Sequence, residues 1–275
     1  MEITPWKSGH FYSPFPSEDN IENAIKAKRL FRFEAKEELY ASDLELNLNK
    51  VLLEGARLLP NLLTVSDSLY PKDSQQFTIA DAIVLFCVIL ENRPQKIIEI
   101  GSGHSSAFMV DIRNFLNLDL EITCIEPYPT RLKETLRNRI NEIVLKEMFV
   151  QDLEKEFWDS LDENCMIFID SSHVSKAGSD VNHLFFNVLP NLKKGSLIHV
   201  HDIFSGFEYP EKWLREGRAW NEAYLLRAFL MFNDTFEIYL WPQASKFPEQ
   251  IDNISKVLEI SFSFPGSSIY LRKIK

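Results

Sequence analysis

The chain has 275 residues, room for one large domain or for a core of about 150–200 residues with an attachment. Hydrophobic residues make up 45 % and charged residues 25 %, ordinary globular values that exclude disorder, collagen-like repetition and low-complexity architecture. Lys and Arg number 30 against 40 Asp and Glu, a formal net charge of −10 without a basic run, which argues against a nucleic-acid backbone or an anionic membrane as partner.

Cys87, Cys124 and Cys165 are odd in number and lie in or beside apolar runs. That is the pattern of buried, reduced thiols in a reducing compartment rather than of disulfides or metal ligands. Residues 1–16 hold no apolar core of signal-peptide type, and the longest apolar run, 82–90, falls far short of the roughly 18–20 residues of a membrane span. A soluble cytoplasmic protein is expected.

Residues 1–76 read as a peripheral N-terminal helical extension or cover. It opens with Phe11, Tyr12, Pro14, Phe15 and Pro16, continues through a charged segment at 17–39, and then becomes apolar-periodic. Leu44, Leu48, Val51, Leu52, Leu58 and Leu59 recur at mostly three- and four-residue intervals, which predicts a helix ending at Pro60. Residues 77–275 alternate helical stretches with short apolar runs. Helices are predicted at 80–92, 107–116, 130–140, 181–189 and 221–232, and strands at 96–100, 121–125, 143–150, 166–169, 197–200, 236–241 and 268–272. Seven strands separated by helices of this length predict an α/β fold, a mostly parallel, Rossmann-like sheet with helices on both faces. The segment 204–220 carries Gly206, Pro210, Gly217 and five aromatic residues, and is too long for a simple connection. It reads as a lid-like insertion or as a contact through which the chain self-associates.

The sharpest local signal is EIGSGHSS at 99–106, where a strand hands over to a helix. Gly101 and Gly103 let the backbone turn and approach a ligand, and the helix start exposes unpaired N–H groups. A dinucleotide fingerprint wants a third glycine where Ser106 stands. Glu99 is expected to place a negative charge beside the loop, repelling a pyrophosphate and suiting a cationic ligand. The next strand ends in Glu126, at the sheet edge where an acid takes both hydroxyls of a ribose.

Acid, Gly-x-Gly, helix, strand and acid in one unit resemble the class I S-adenosylmethionine-dependent methyltransferases, over about residues 77–275. The resemblance implies that Glu99, Gly101, Ser102 and Gly103 form the methionine-side loop, that Glu126 holds the ribose, and that Gln151 and Asp152 stand where that family contacts adenine.

A third constellation joins Asp170 and His173, after the fourth strand, to His199, His201 and Asp202 at the end of the fifth. In a parallel sheet these ends are neighbours facing the same crevice as Gly101. His199 and His201 share a face, with His201 nearer the edge and His199 a core residue. The Ile-Asp-x-x-His pattern is similar to catechol-type and macrolide-sugar O-methyltransferases. That implies methyl transfer to a small-molecule hydroxyl, with Asp170 against the cofactor, His173, His201 and Asp202 as catalytic groups, and Asp170, His201 and Asp202 as ligands of a divalent metal. His201 stands where an oxygen ligand is usual, so either the metal is a transition ion or none binds and His201 is itself the base. Two rivals stay open: a nicotinamide-dependent oxidoreductase on a doubly wound sheet, and a non-catalytic binding module that keeps the cofactor fold.

Overall fold

The computed structural model describes residues 7–10, 12–30, 55, 58–244 and 266–275. Phe11 and most of the apolar-periodic stretch before Leu58 lie outside the described residues. Helix α1 (Glu18–Leu30) comes first, and a helical turn at 58–63 follows. The helix therefore runs past Pro60 instead of ending there: proline lacks a donor but keeps its acceptor, and the Thr64 N–H bonds the Pro60 carbonyl at 3.2 Å. Leu59, Leu62 and Leu63 are buried in the same core as the helices that follow.

Helix α2 (Ile79–Asn92) opens on a capping box in which Thr78 and Asp81 satisfy each other's backbone N–H, and it is buried from Ala80 to Leu90. The alternation then begins: β1 (Lys96–Ile100), α3 (His104–Leu116), β2 (Glu121–Ile125), α4 (Thr130–Leu136), β3 (Val144–Lys146), α5 (Lys155–Asp159), β4 (Cys165–Ile169), α6 (Asp180–His183), β5 (Leu197–Val200), α7 (Glu211–Arg215), α8 (Glu222–Met231), β6 (Phe236–Leu240) and β7 (Ile269–Lys273). The seven strands form one sheet in the order β3-β2-β1-β4-β5-β7-β6. β1 to β5 run parallel, and β7 lies antiparallel between β5 and β6.

Three elements are shorter than their sequence pattern. β3 covers three residues because the chain turns back at once, the Met148 N–H bonding the Lys146 carbonyl at 2.9 Å. After α4 the chain tightens into a 3-10 segment at Arg137–Glu142. The stretch expected at 181–189 is one α-turn followed by a π-turn at Leu184–Val188 and a 3-10 turn at Leu189–Asn191, where Pro190 offers no N–H.

The sheet separates two apolar layers. One gathers α2, α3 and Tyr70 over Ile97, Cys124, Phe168 and Tyr270; the other gathers Val181, Leu184, Phe207, Leu226 and Trp241 over Ile98, Ile167, Ile198 and Leu271. All three cysteines are free and buried. The segment 204–220 is anchored rather than loose: Phe207, Tyr209 and Leu214 are buried, and Arg215 pairs with Glu18 of α1. No helix among the described residues is long and apolar enough to cross a membrane.

Candidate active site

The carboxyl ends of β1, β2, β4 and β5 open into one cleft of about 1270 Å³, lined by Gly101, Ser102, Gly103, Glu126, Gln151, Asp170, His173 and Asp202 among others. Gly101 sits at φ 79°, and a Cβ there would meet the Asp170 carbonyl oxygen at 1.9 Å. Only glycine lets β1 leave the sheet so close to the end of β4.

Glu99 corrects the sequence reading. It is fully buried beneath the loop, where it accepts from Ser105 Oγ at 2.5 Å, from Ser106 Oγ, and from the Cys124 thiol at 3.3 Å. Ser106 in turn accepts the Gly103 N–H at 2.9 Å. Burial pushes the Glu99 carboxyl up to about 7 against those hydrogen bonds. It braces the loop from below and takes no place in the cleft lining. Asp152 is likewise out of place, exposed to solvent, because the 3-10 turn at Val150–Asp152 sends Gln151 inward and its neighbour out.

Glu126 does face the cleft, with its two oxygens accepting the N–H groups of Ser102 at 3.1 Å and Tyr128 at 2.8 Å. Gln151 Oε1, a buried acceptor on the cleft lining, has no hydrogen-bond partner among the described residues. Buried polar atoms are normally satisfied, so a polar ligand group fits beside Gln151. Tyr128 and Phe149 stand edge to face at that end, ring centroids 6.0 Å apart.

At the centre, His173 Nε2 lies 3.3 Å from Asp170 Oδ1 and 3.8 Å from Asp202 Oδ2. His173 and Asp202 both adopt φ 57°, a left-handed conformation that non-glycine residues hold only where the surroundings impose it. Glu222, fully buried, closes on His173 Nδ1 at 2.9 Å. Burial opposes charge on His173, but Asp170 and Glu222 outweigh it and raise the imidazole well above its ordinary value. Burial also works to raise Asp170, yet the charges of His201 and His173 hold it below the usual carboxylate range.

His201 does not take the role read for it. It is 2 % exposed, lies beneath the cleft against Phe77 at 5.6 Å, and is absent from the lining. Burial lowers its pKa, but Asp170, Asp202 and Asp81 raise it to about 9; its place below the cleft floor, out of reach of an acceptor's proton, is what sets it apart from His173. Among the described residues, the donor atoms close enough to share an ion belong to Asp170, His173 and Asp202, all within 4.8 Å of one another. His199 is a core residue, stacked on Phe168 at 3.8 Å.

Glu222 escaped the sequence reading, which predicts only a helix at 221–232 there. Trp213, Arg218 and Trp220 line the cleft beside His173, within the aromatic segment 204–220 that reads as lid-like.

A methyltransferase-domain family model matches residues 98–203, spanning the glycine loop, Glu126 and the Asp170–Asp202 cluster. An uncharacterized protein of Archaeoglobus fulgidus is 32 % identical over 167 residues, covering 57 % of this chain and 73 % of its own. Among solved structures, a methyltransferase of Podospora anserina bound to S-adenosylhomocysteine is 14 % identical, covering 82 % of this chain and 88 % of that one with a TM-score of 0.47. A magnesium- and S-adenosylmethionine-bound form of cmcI is 17 % identical, covering 72 % and 73 %, with a TM-score of 0.45. The chain belongs to the class I S-adenosylmethionine-dependent methyltransferases. It is an enzyme of methyl transfer, with S-adenosylmethionine as its cofactor.

Proposed function

We propose that the enzyme methylates a hydroxyl group of a small molecule. The observation that carries this reading is the Asp170–His173–Asp202 cluster, set in the same cleft as Glu126 and locked by Glu222. S-adenosylmethionine supplies an activated methyl on a sulfonium, so the protein's task is to align donor and acceptor and manage the acceptor's proton.

Glu126 has the remaining lone pairs to hold two ribose hydroxyls, and Gln151 Oε1 an open acceptor for the adenine amino group. Gly101 to Gly103 leave room for the methionine portion, with Glu99 holding the loop in shape from behind. Asp170 and Asp202 present negative charge that favours a cationic donor.

The cluster also fits a divalent ion. Separations of 3.3 and 3.8 Å suit donor atoms sharing an ion about 2.1 Å from each. Glu222 on Nδ1 leaves Nε2 as the ligand nitrogen, a carboxylate–histidine–metal arrangement. Asp170, His173 and Asp202 would hold the ion, which would lower the pKa of an acceptor hydroxyl, and the nitrogen donor favours a transition metal over Mg²⁺. A second reading keeps His173 as the proton acceptor, favoured by its face on the cleft and its carboxylate partner. The buried, reduced cysteines suit a cytoplasmic setting.

The test is transfer of labelled methyl from S-adenosylmethionine to a library of hydroxylated compounds, beside calorimetry with S-adenosylhomocysteine. Labelled O-methyl ethers are expected. Label appearing only on nitrogen or sulfur would overturn the hydroxyl assignment.

A further inference from the structure

We propose that the acceptor is a hydroxylated ring bearing an anionic group, carboxylate or phosphate, with the ring laid against Trp213 and Trp220 and the anion held by Arg218, Lys212 and Lys176. This rests on the reading of the enzyme as acting on hydroxyls, and adds to it the chemistry of the molecule that carries them.

An aromatic wall starts at the reacting centre. The Trp220 ring lies 4.3 Å from the His173 imidazole, Trp213 meets Trp220 edge-on at 5.2 Å, and Phe204 meets Trp213 at 5.1 Å. Indole faces take the flat face of an aromatic or sugar ring with its polar substituents pointing outward. A ring on this wall has a hydroxyl beside His173, Asp170 and Asp202.

The charge around the wall is opposite to that of the protein. The chain carries −10 overall, and the acids of the cleft floor, Asp170 and Asp202, sit at the cluster. The wall is bordered by cations. The Arg218 guanidinium carbon lies 4.3 Å from the Trp213 ring and 5.1 Å from that of Trp220, a stack that fixes its plane. Glu216 takes its Nε and Nη2, each at 3.0 Å, which leaves Nη1 without a partner among the described residues. Lys212 and Lys176 line the same cleft. Among the described residues Lys212 reaches only Glu216, at 3.8 Å, and Lys176 has no ion pair. The loop carrying Lys176 is tied to the residue after Trp220, with Asn221 bonded to Ser175 at 2.6 and 3.2 Å. A neutral acceptor would leave Arg218 and Lys212 with Glu216 alone and Lys176 to water, whereas an anion gains charge-assisted hydrogen bonds from Arg218 Nη1 and the two ammonium groups.

The experiment titrates the full-length protein, loaded with S-adenosylhomocysteine, with matched probes followed by tryptophan fluorescence. The probes are catechol against 3,4-dihydroxybenzoate, and glucose against glucuronate and glucose 6-phosphate. The anionic member of a set is expected to bind about tenfold tighter than its neutral twin, an advantage that shrinks with salt; the glucuronate and glucose 6-phosphate arms separate carboxylate from phosphate. In the combined Arg218→Gln, Lys212→Gln, Lys176→Gln variant the advantage should fall below about twofold, with S-adenosylhomocysteine affinity unchanged. Equal binding of charged and neutral members, failure of every probe to bind, or an advantage that survives the triple variant would overturn the inference. Failure of the wild type to bind S-adenosylhomocysteine instead overturns the site reading on which the inference rests, and the inference with it.

Discussion

His173 and Glu222 are 49 positions apart in the chain and 2.9 Å apart in space, imidazole Nδ1 against carboxylate. The backbone makes the same connection, because the His173 carbonyl accepts the N–H groups of Asn221 and Glu222 at 3.0 and 3.2 Å. The start of α8 is therefore docked on His173 by main chain and side chain together. That fixes the ring's plane and directs Nε2 at Asp170 and Asp202.

Glu222→Gln removes the charge that holds Nδ1 as a donor while keeping the side chain's volume. Methyl transfer should fall by about 10–100-fold, with affinity for S-adenosylhomocysteine within about twofold of wild type. Single-turnover transfer of labelled methyl is the measurement, and undiminished turnover would remove Glu222 from the site.

Metal analysis distinguishes His173 from His201 as the nitrogen ligand. After equilibration with Mn²⁺ and gel filtration, about one ion per chain is expected in the wild type and in His201→Gln. Asp170→Ala and His173→Ala should each lose it. If exhaustive chelation leaves full activity, the cluster works without an ion and His173 is the proton acceptor.

Glu126→Ala removes two charge-assisted hydrogen bonds to a ribose, each worth roughly 1.5–3 kcal/mol. Affinity for S-adenosylhomocysteine should weaken about tenfold or more by calorimetry. The variant also frees the N–H groups of Ser102 and Tyr128, so the melting temperature of the unliganded protein is the control that separates ribose contact from loop order.

Glu99 makes stability depend on pH in a direction opposite to that of a salt-bridged acid. Its carboxyl titrates at about 7 in the folded protein against an ordinary 4.5, so between those values the folded state binds more protons than the unfolded one. Stability then falls as pH rises through that window, by up to about 1.4 kcal/mol per pH unit, and levels off above it. Glu99→Gln should flatten this part of the profile. Urea midpoints at pH 5, 6, 7 and 8 for both proteins decide it: parallel curves would place the titration elsewhere.

Much of this was legible in sequence for a physical reason. Buried parallel strands are apolar runs, so the edges of β1, β2, β4 and β5 can be read directly, and the ends of parallel strands converge whatever the helices do. That is why the sequence pattern brings Gly101, Glu126, Asp170 and Asp202 to one cleft. Side-chain direction past a strand's end was not legible. β5 alternates through His199 and His201, stacked on one face with centroids 5.6 Å apart, and this alternation turns His201 into the layer beneath the cleft. His173 lies in the cleft that its Asp-x-x-His pattern points to, but reaches it through a left-handed backbone that no residue type announces. Glu99 follows the same rule, since its position in β1 points it under the loop it was expected to flank. Glu222 depends on a contact across 49 residues, beyond any local pattern.

The place of β7 in the sheet bears on how the protein is made. It is the last of the seven strands in chain order, yet it lies between β5 and β6. A ribosome that has finished β6 has therefore produced a strand with nothing to pair with, while the exposed side of β5 is a template for any other nascent chain nearby. Residues 266–273 close both gaps at once. They also deliver the Ser267 N–H and Ser268 hydroxyl to Asp81, and the Ser267 hydroxyl to Asp202. The sheet's last pairings and the Ser267 bond to Asp202 thus wait on residues 266–273, and a chain lacking them leaves two strand edges open.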